Sequence, residues 1–282
     1  MYHKLSQSKL PSGAMLAPVI ITSDKTQLTQ FSGSKSAYPV YLTIGNIPKA
    51  MHQKPTKHTC VLIAYLSVNK ISQVGLTCHE QTGRNQCLFH ESMHHVLQPL
   101  MEAGKTGIEI CGGDGAVHLV FLVLTSYVAD YPEQCLVSCS KYGTCPKCQC
   151  PAKNLQDDVT WDRQTQTWTW NVISKAKSSS TKKSEFHKFC MEHEVSGSVY
   201  QPFLVNFPYS DIHCAIMPDI LHQLYQGVFK HIVHCQLVMS PEELDLRIQT
   251  LPPAHGVHHF QNGISALSQI SGSEKKTWDA FF

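Results

Sequence analysis

The apolar run Val117–Val128, interrupted only by His118, Thr125 and Ser126, constrains this chain more than any other stretch. It is shorter than the roughly 18–20 residues that a membrane-crossing helix needs, and other apolar runs are shorter still. Its length and its Val/Leu/Phe content suit a buried strand or strand pair, bounded by Ala129-Asp130 at one end. A strand of that kind needs a sheet around it, and the preceding sequence supplies one.

Ala17–Ile21 is an apolar strand pattern stopping at Ser23-Asp24, and Tyr38–Ile44 is β-branched and aromatic, stopping at Gly45-Asn46. With Cys60–Val68 these predict three strands in an antiparallel meander. Leu88–Ala103 then carries apolar residues at helical spacing up to Gly104, with Pro99 expected to kink or restart the helix. Ile108–Ile110 and Val117–Val128 return to strand, separated by the turn Gly112-Gly113-Asp114-Gly115. Strand, strand, strand, helix, strand is an α/β order matching a ribonuclease-H-like core.

Beyond Pro151 the texture changes. Asp157–Trp170 is polar and tryptophan-bearing, and Lys175–Lys188 is rich in Ser and Lys, which predicts an insertion with a mobile basic loop. Lys175, Lys177, Lys182 and Lys183 fit either a solvated linker or a contact to DNA phosphates. A helix is expected from Pro218, with Leu221, Leu224, Val228 and Ile232 on one stripe, and another from Pro241-Glu242-Glu243. The division this implies is 1–150 for a first core part, 151–210 for an insertion and 211–282 for a helical remainder.

The twelve cysteines, with no secretory signal pattern around the apolar patch Met15–Ile21, read as reduced thiols, so paired cysteines point to metal before disulfide. Cys145-Pro146-Lys147-Cys148 is half of a tetrahedral zinc site, since two thiols across a tight turn can face one ion. His222 is the best distant ligand. Asp219 lies one helical turn before it and is the local candidate for a fourth, equally readable as a helix-start charge; His231 would fall on the opposite face. Asp24 and Asp130 each close an apolar strand, where carboxylates in a shared cleft could hold divalent metals for displacement at phosphorus. The formal net charge of +2 identifies no partner by itself.

Several ordered segments carry a resemblance. Ser23–Leu28 followed by Tyr38–Asn46, Ala129–Val137 leading to Cys145-Pro146-Lys147-Cys148, Pro218–Leu224, and more weakly Ser271–Lys275, resemble the catalytic core of Plavaka-type transposases, a CACTA-related fungal family. The resemblance implies a DDE transposase core of ribonuclease-H-like fold with a mixed sheet and an insertion between its second and third acids. It implies Asp24, Asp130 and Glu274 as catalytic acids for Mg²⁺ or Mn²⁺, and Cys145, Cys148 and His222 in a Zn²⁺ motif, with Asp219 beside it. It further implies DNA, as transposon ends and target, for a partner, a possible homo-oligomer, no membrane association and a nuclear location. Where the family often has a second His, this chain has Tyr225. The segments leave the expectation of a core truncated at both ends. Two other readings stand beside it: a non-catalytic, zinc-stabilised DNA- or protein-binding module, and a thiol redox protein.

Overall fold

A computed structural model of the chain describes residues 10–29, 33, 35–69, 75–219, 223 and 240–250. Five strands form one mixed sheet. β1 (Met15–Ser23), β2 (Pro39–Ile44) and β3 (Val61–Tyr65) are the expected antiparallel meander. A long helix, α1 (Cys78–Thr106), leads to the hairpin of β4 (Ile108–Cys111) and β5 (Val117–Val128). β5 lies parallel to β1, giving the order β3-β2-β1-β5-β4. Gly115, at φ 78°, supplies the left-handed residue that the hairpin turn requires.

The run of apolar residues in β5 follows from its central place. Val120, Phe121, Val123, Leu124 and Tyr127 are all buried, so neighbouring residues on opposite faces are both covered and no in/out alternation appears. α1 covers one part of this core with Phe89, Met93, Leu97 and Met101, a buried residue every four positions. Thr77 starts the helix through a capping box with Glu80, each side chain accepting from the other's backbone N–H (3.2 and 2.9 Å). Close packing at its far end depends on Gly104, where a Cβ would meet the Leu122 carbonyl oxygen at 2.7 Å and Pro208 Cγ at 3.0 Å. Pro99 does not divide the helix as its sequence predicted. It is exposed and the helix runs through it, packing of the apolar stripe outweighing one missing N–H.

α2 (Tyr131–Ser138) follows β5 directly. The segment expected to be a basic loop is instead mostly helical: α3 (Gln166–Ser179) and α4 (Lys183–Glu192) pack around Val172, Ile173, Ala176, Phe186, Cys190 and Val195. This small cluster explains the correction, because both helices have an apolar face that the Ser/Lys composition conceals. A short turn, α5 (Ile212–Ala215), leads into an isolated parallel bridge between Ile216 and Tyr127 of β5. Pro218 and Asp219 are not helical; the stripe expected from Leu221 to Ile232 lies outside the described residues. The helix expected at Pro241 is present as α6 (Pro241–Gln249). The chain falls into two compact units, Met1–Asp219 and Ile220–Phe282. Among the described residues no helix is long and apolar enough to cross a membrane.

Candidate functional site

The carboxyl ends of β1 and β5 carry the first group of interest. Their parallel register pairs Thr22 with Val128, so Asp24 and Asp130 each stand two residues beyond paired positions. A bulge sets this register. Val19 pairs with Leu124 and Ile20 with Ser126, skipping Thr125, whose hydroxyl donates to the Val19 carbonyl oxygen at 3.2 Å. Without that extra residue Asp24 would stand level with Ala129. Adjacent strands lie about 4.8 Å apart, so the register brings the two strand ends into one neighbourhood. Asp24 is exposed and accepts from Thr26 Oγ1 at 3.2 Å; Asp130 is half-buried and caps α2, accepting from the Glu133 N–H at 3.0 Å.

Glu133 is a third acid here, and pattern reading does not select it. It is 7% exposed and accepts hydrogen bonds from Ser23 Oγ and from Tyr38. Tyr127 completes the network, its hydroxyl lying 2.5 Å from Ser23 Oγ. Because Ser23 donates to the carboxylate, Tyr127 donates to Ser23. Burial pushes the Glu133 carboxyl up to about 7, the charges of Asp130 and Asp24 adding to it while the Ser23 and Tyr38 hydrogen bonds oppose it. Burial and the nearby Glu133 raise the Tyr38 hydroxyl far above the usual tyrosine range. The available signal for Glu133 was the Asp130-x-x-Glu133 spacing, which reads as a helix cap and says nothing of burial. Carboxylate oxygens are the donor type that a hard cation takes. Glu274 lies outside the described residues.

The Cys145–Cys148 turn forms the second group. The Lys147 N–H donates to Cys145 Sγ at 3.4 Å, and the Cys148 thiol bonds to that of Cys145. The Cys148 thiol is raised by burial first, and by its bond to Cys145 and the charges of Cys145 and Cys150. Two adjacent thiols are the soft donor type that zinc takes. Cys135, Cys139 and Cys150 are buried small residues, as free cysteines commonly are. His213, which sequence patterning passes over, supports the turn. Its Nδ1–H donates to the Pro146 carbonyl oxygen at 2.8 Å, leaving Nε2 to accept from Thr169 Oγ1 at 2.9 Å. Both ring nitrogens are thereby used. His222 lies outside the described residues; Asp219 is half-buried, two residues after Met217, whose N–H donates to the Tyr127 carbonyl oxygen at 3.1 Å. Among the described residues no three His, Cys, Asp or Glu side chains are arranged as a group that could hold a metal ion.

Two straps join the groups. Tyr131, next to Asp130, donates its hydroxyl proton to the Thr144 carbonyl oxygen at 2.8 Å and accepts from the Gly143 N–H at 3.1 Å, just before Cys145. Lys147 Nζ donates to the carbonyl oxygens of Cys214 (3.3 Å) and Ile216 (2.5 Å), the latter beside Tyr127. The chain matches a family model described as Plavaka transposase over residues 1–235. No curated protein matches it.

Proposed function

The chain belongs to the Plavaka transposase family, and on that premise we propose that it is the DDE-type core of a DNA transposase, cutting DNA strands and joining freed 3′ ends to target DNA. The observation that carries this reading is the bulge-set parallel register that stands Asp24 and Asp130 at neighbouring strand ends. A ribonuclease-H-like core is supported by the element order: three meandering strands, a helix, then the β4–β5 hairpin, whose second strand lies parallel to β1 and beside it.

Asp24 and Asp130, with Glu274, would hold Mg²⁺ or Mn²⁺; bound there, such ions activate a nucleophile and stabilise a leaving oxygen in phosphoryl transfer. The chain's own part is positioning. Ser23, Tyr38, Tyr127 and Glu133 fix the ends of β1 and β5 through buried hydrogen bonds. Cys145, Cys148 and His222, with Asp219, are the proposed zinc ligands. The exposed lysines of the α3–α4 hairpin, Lys175, Lys177, Lys182 and Lys183, are proposed to lie against DNA phosphates.

Nicking of supercoiled plasmid by the intact chain, with and without Mg²⁺, tests the reading. Magnesium-dependent nicking is expected, with a loss of at least about a hundredfold in an Asp24→Ala/Asp130→Ala double variant. Equal nicking by that variant would sink the assignment of the acids. Zinc-dependent DNA binding without nicking would favour the non-catalytic module.

A further inference from the structure

A cavity of about 390 Å³ opens beside the acidic group, between the exit of β3 and the first half of α1. Its size lies in the range of small-molecule pockets, roughly 300–1,000 Å³. The floor is apolar, built from the buried Leu66 and Phe89 and the half-buried Leu136. Tyr38 forms one wall, its ring nearly parallel to that of Phe89 (25°, centroids 6.0 Å apart), while its hydroxyl reaches Glu133. Cavity and acidic group therefore share a side chain. The lining also holds the exposed Asn69, after β3, and the exposed Asn85, on α1, and among its described residues Lys25 is the one with a charge.

We propose that this cavity receives a single nucleobase extruded from the DNA duplex beside the phosphate that is cut, an inference that rests on the transposase reading above. A nucleobase is flat and apolar on its faces and carries donors and acceptors along its edge. The cavity has the same division: aromatic and aliphatic surface below, carboxamides that both donate and accept elsewhere in the lining. Lys25 also fits. It follows Asp24 directly, so its ammonium can neutralise a backbone phosphate where the strand passes from the acids to the cavity. The described residues of the lining include no carboxylate that would repel that strand, whereas the acidic group beside it would repel it without bound cations. No covalent step occurs in the cavity. Its role is to hold the neighbouring nucleotide and so fix the strand over Asp24 and Asp130.

Binding of the intact chain to a short duplex carrying one unpaired 2-aminopurine, against the same duplex fully paired, tests this. An unpaired base has already lost its pairing energy, so about tenfold tighter binding of the bulged duplex is expected, with a change in 2-aminopurine fluorescence on stacking against Tyr38. Asn85→Trp and, separately, Asn69→Trp put bulk into the cavity lining at two separate positions, and each is expected to bring the bulged-to-paired ratio to about one. The ratio is taken within each variant, so a variant that misfolds is recognised by loss of both affinities, and the second variant still decides. Equal wild-type affinity for both duplexes, or a ratio that survives both fillings, would overturn the proposal while leaving the transposase reading intact. Failure of the wild type to bind either duplex would overturn both. Displacement of the bulged base by free dAMP would assign the cavity to free nucleotides and overturn it as well.

Discussion

Glu133 sits one helical turn past Asp130 with its carboxyl among Ser23, Tyr38 and Tyr127, and its burial makes a pH prediction at the scale of one residue. Its folded-state value of about 7 lies above the ordinary 4.5. The folded chain therefore holds a proton that the unfolded chain releases. The stability from this site is complete below about pH 4.5 and lost as pH rises to about 7. At about 1.4 kcal/mol per unit the loss is roughly 3 kcal/mol. In chelator, urea unfolding of the wild type is expected to weaken across that interval. Glu133→Gln, neutral at every pH and still able to accept from Ser23, is expected to lack the slope and to be the more stable protein above pH ~7. Identical slopes for the two proteins would remove Glu133 as the cause. The placement of Asp24 and Asp130 at strand ends was legible because each follows an apolar run. Glu133 was not, since its significance lies in its hydrogen bond to Ser23, 110 positions away in sequence.

α1 and the α3–α4 hairpin show what periodicity reveals and what composition hides. The stripe Phe89, Met93, Leu97 and Met101 made α1 legible, yet the Pro99 rule pointed to a break that tertiary packing overrides. Pro99 is exposed inside a continuous helix, so Pro99→Ala restores a backbone N–H without disturbing the core. A gain of about 1–3 kcal/mol is expected in thermal or urea unfolding, and no gain would mean that the helix is already relaxed around the ring. In the hairpin, Val172, Ile173 and Ala176, with Phe186 and Cys190, do recur at helical spacing, but the surrounding Ser and Lys residues obscure it. α4 is capped by Glu185, whose carboxylate accepts from the Thr181 and Lys182 N–H groups at 3.0 and 3.3 Å. Lys175, Lys177, Lys182 and Lys183 thus stand exposed on a folded support. Replacing the four with Gln is expected to flatten the slope of log K for DNA against log salt by about 3–4, near 0.9 for each phosphate no longer neutralised. An unchanged slope would return these lysines to a solvated face.

Across the whole first unit, the cysteine turn and the acidic strand ends are one mechanical assembly, held by Tyr131 and Lys147 on either side. Sequence patterns mark both groups but not their connection. Gln134 donates to the Met217 carbonyl oxygen across 83 residues, and no local periodicity records a contact of that span. Under the proposed function, this connection would couple zinc at Cys145 and Cys148 to chemistry at Asp24 and Asp130, although these acids would hold a different metal. Zinc is expected to slow alkylation of Cys145 and Cys148 and to raise the unfolding temperature, and its removal by chelation, followed by readdition of Mg²⁺ alone, is expected to lower nicking. Lys147→Met separates the two effects. Its Nζ leaves two carbonyl oxygens, at Cys214 and Ile216, without their donor, so the strap beside Tyr127 loosens while both thiols remain. Zinc should then still protect the thiols, measured by mass spectrometry after alkylation, yet nicking should stay low at saturating zinc. Full nicking by Lys147→Met, or nicking by the wild type that ignores zinc removal, would show that the turn stabilises its own surroundings without reaching the acidic ends of β1 and β5.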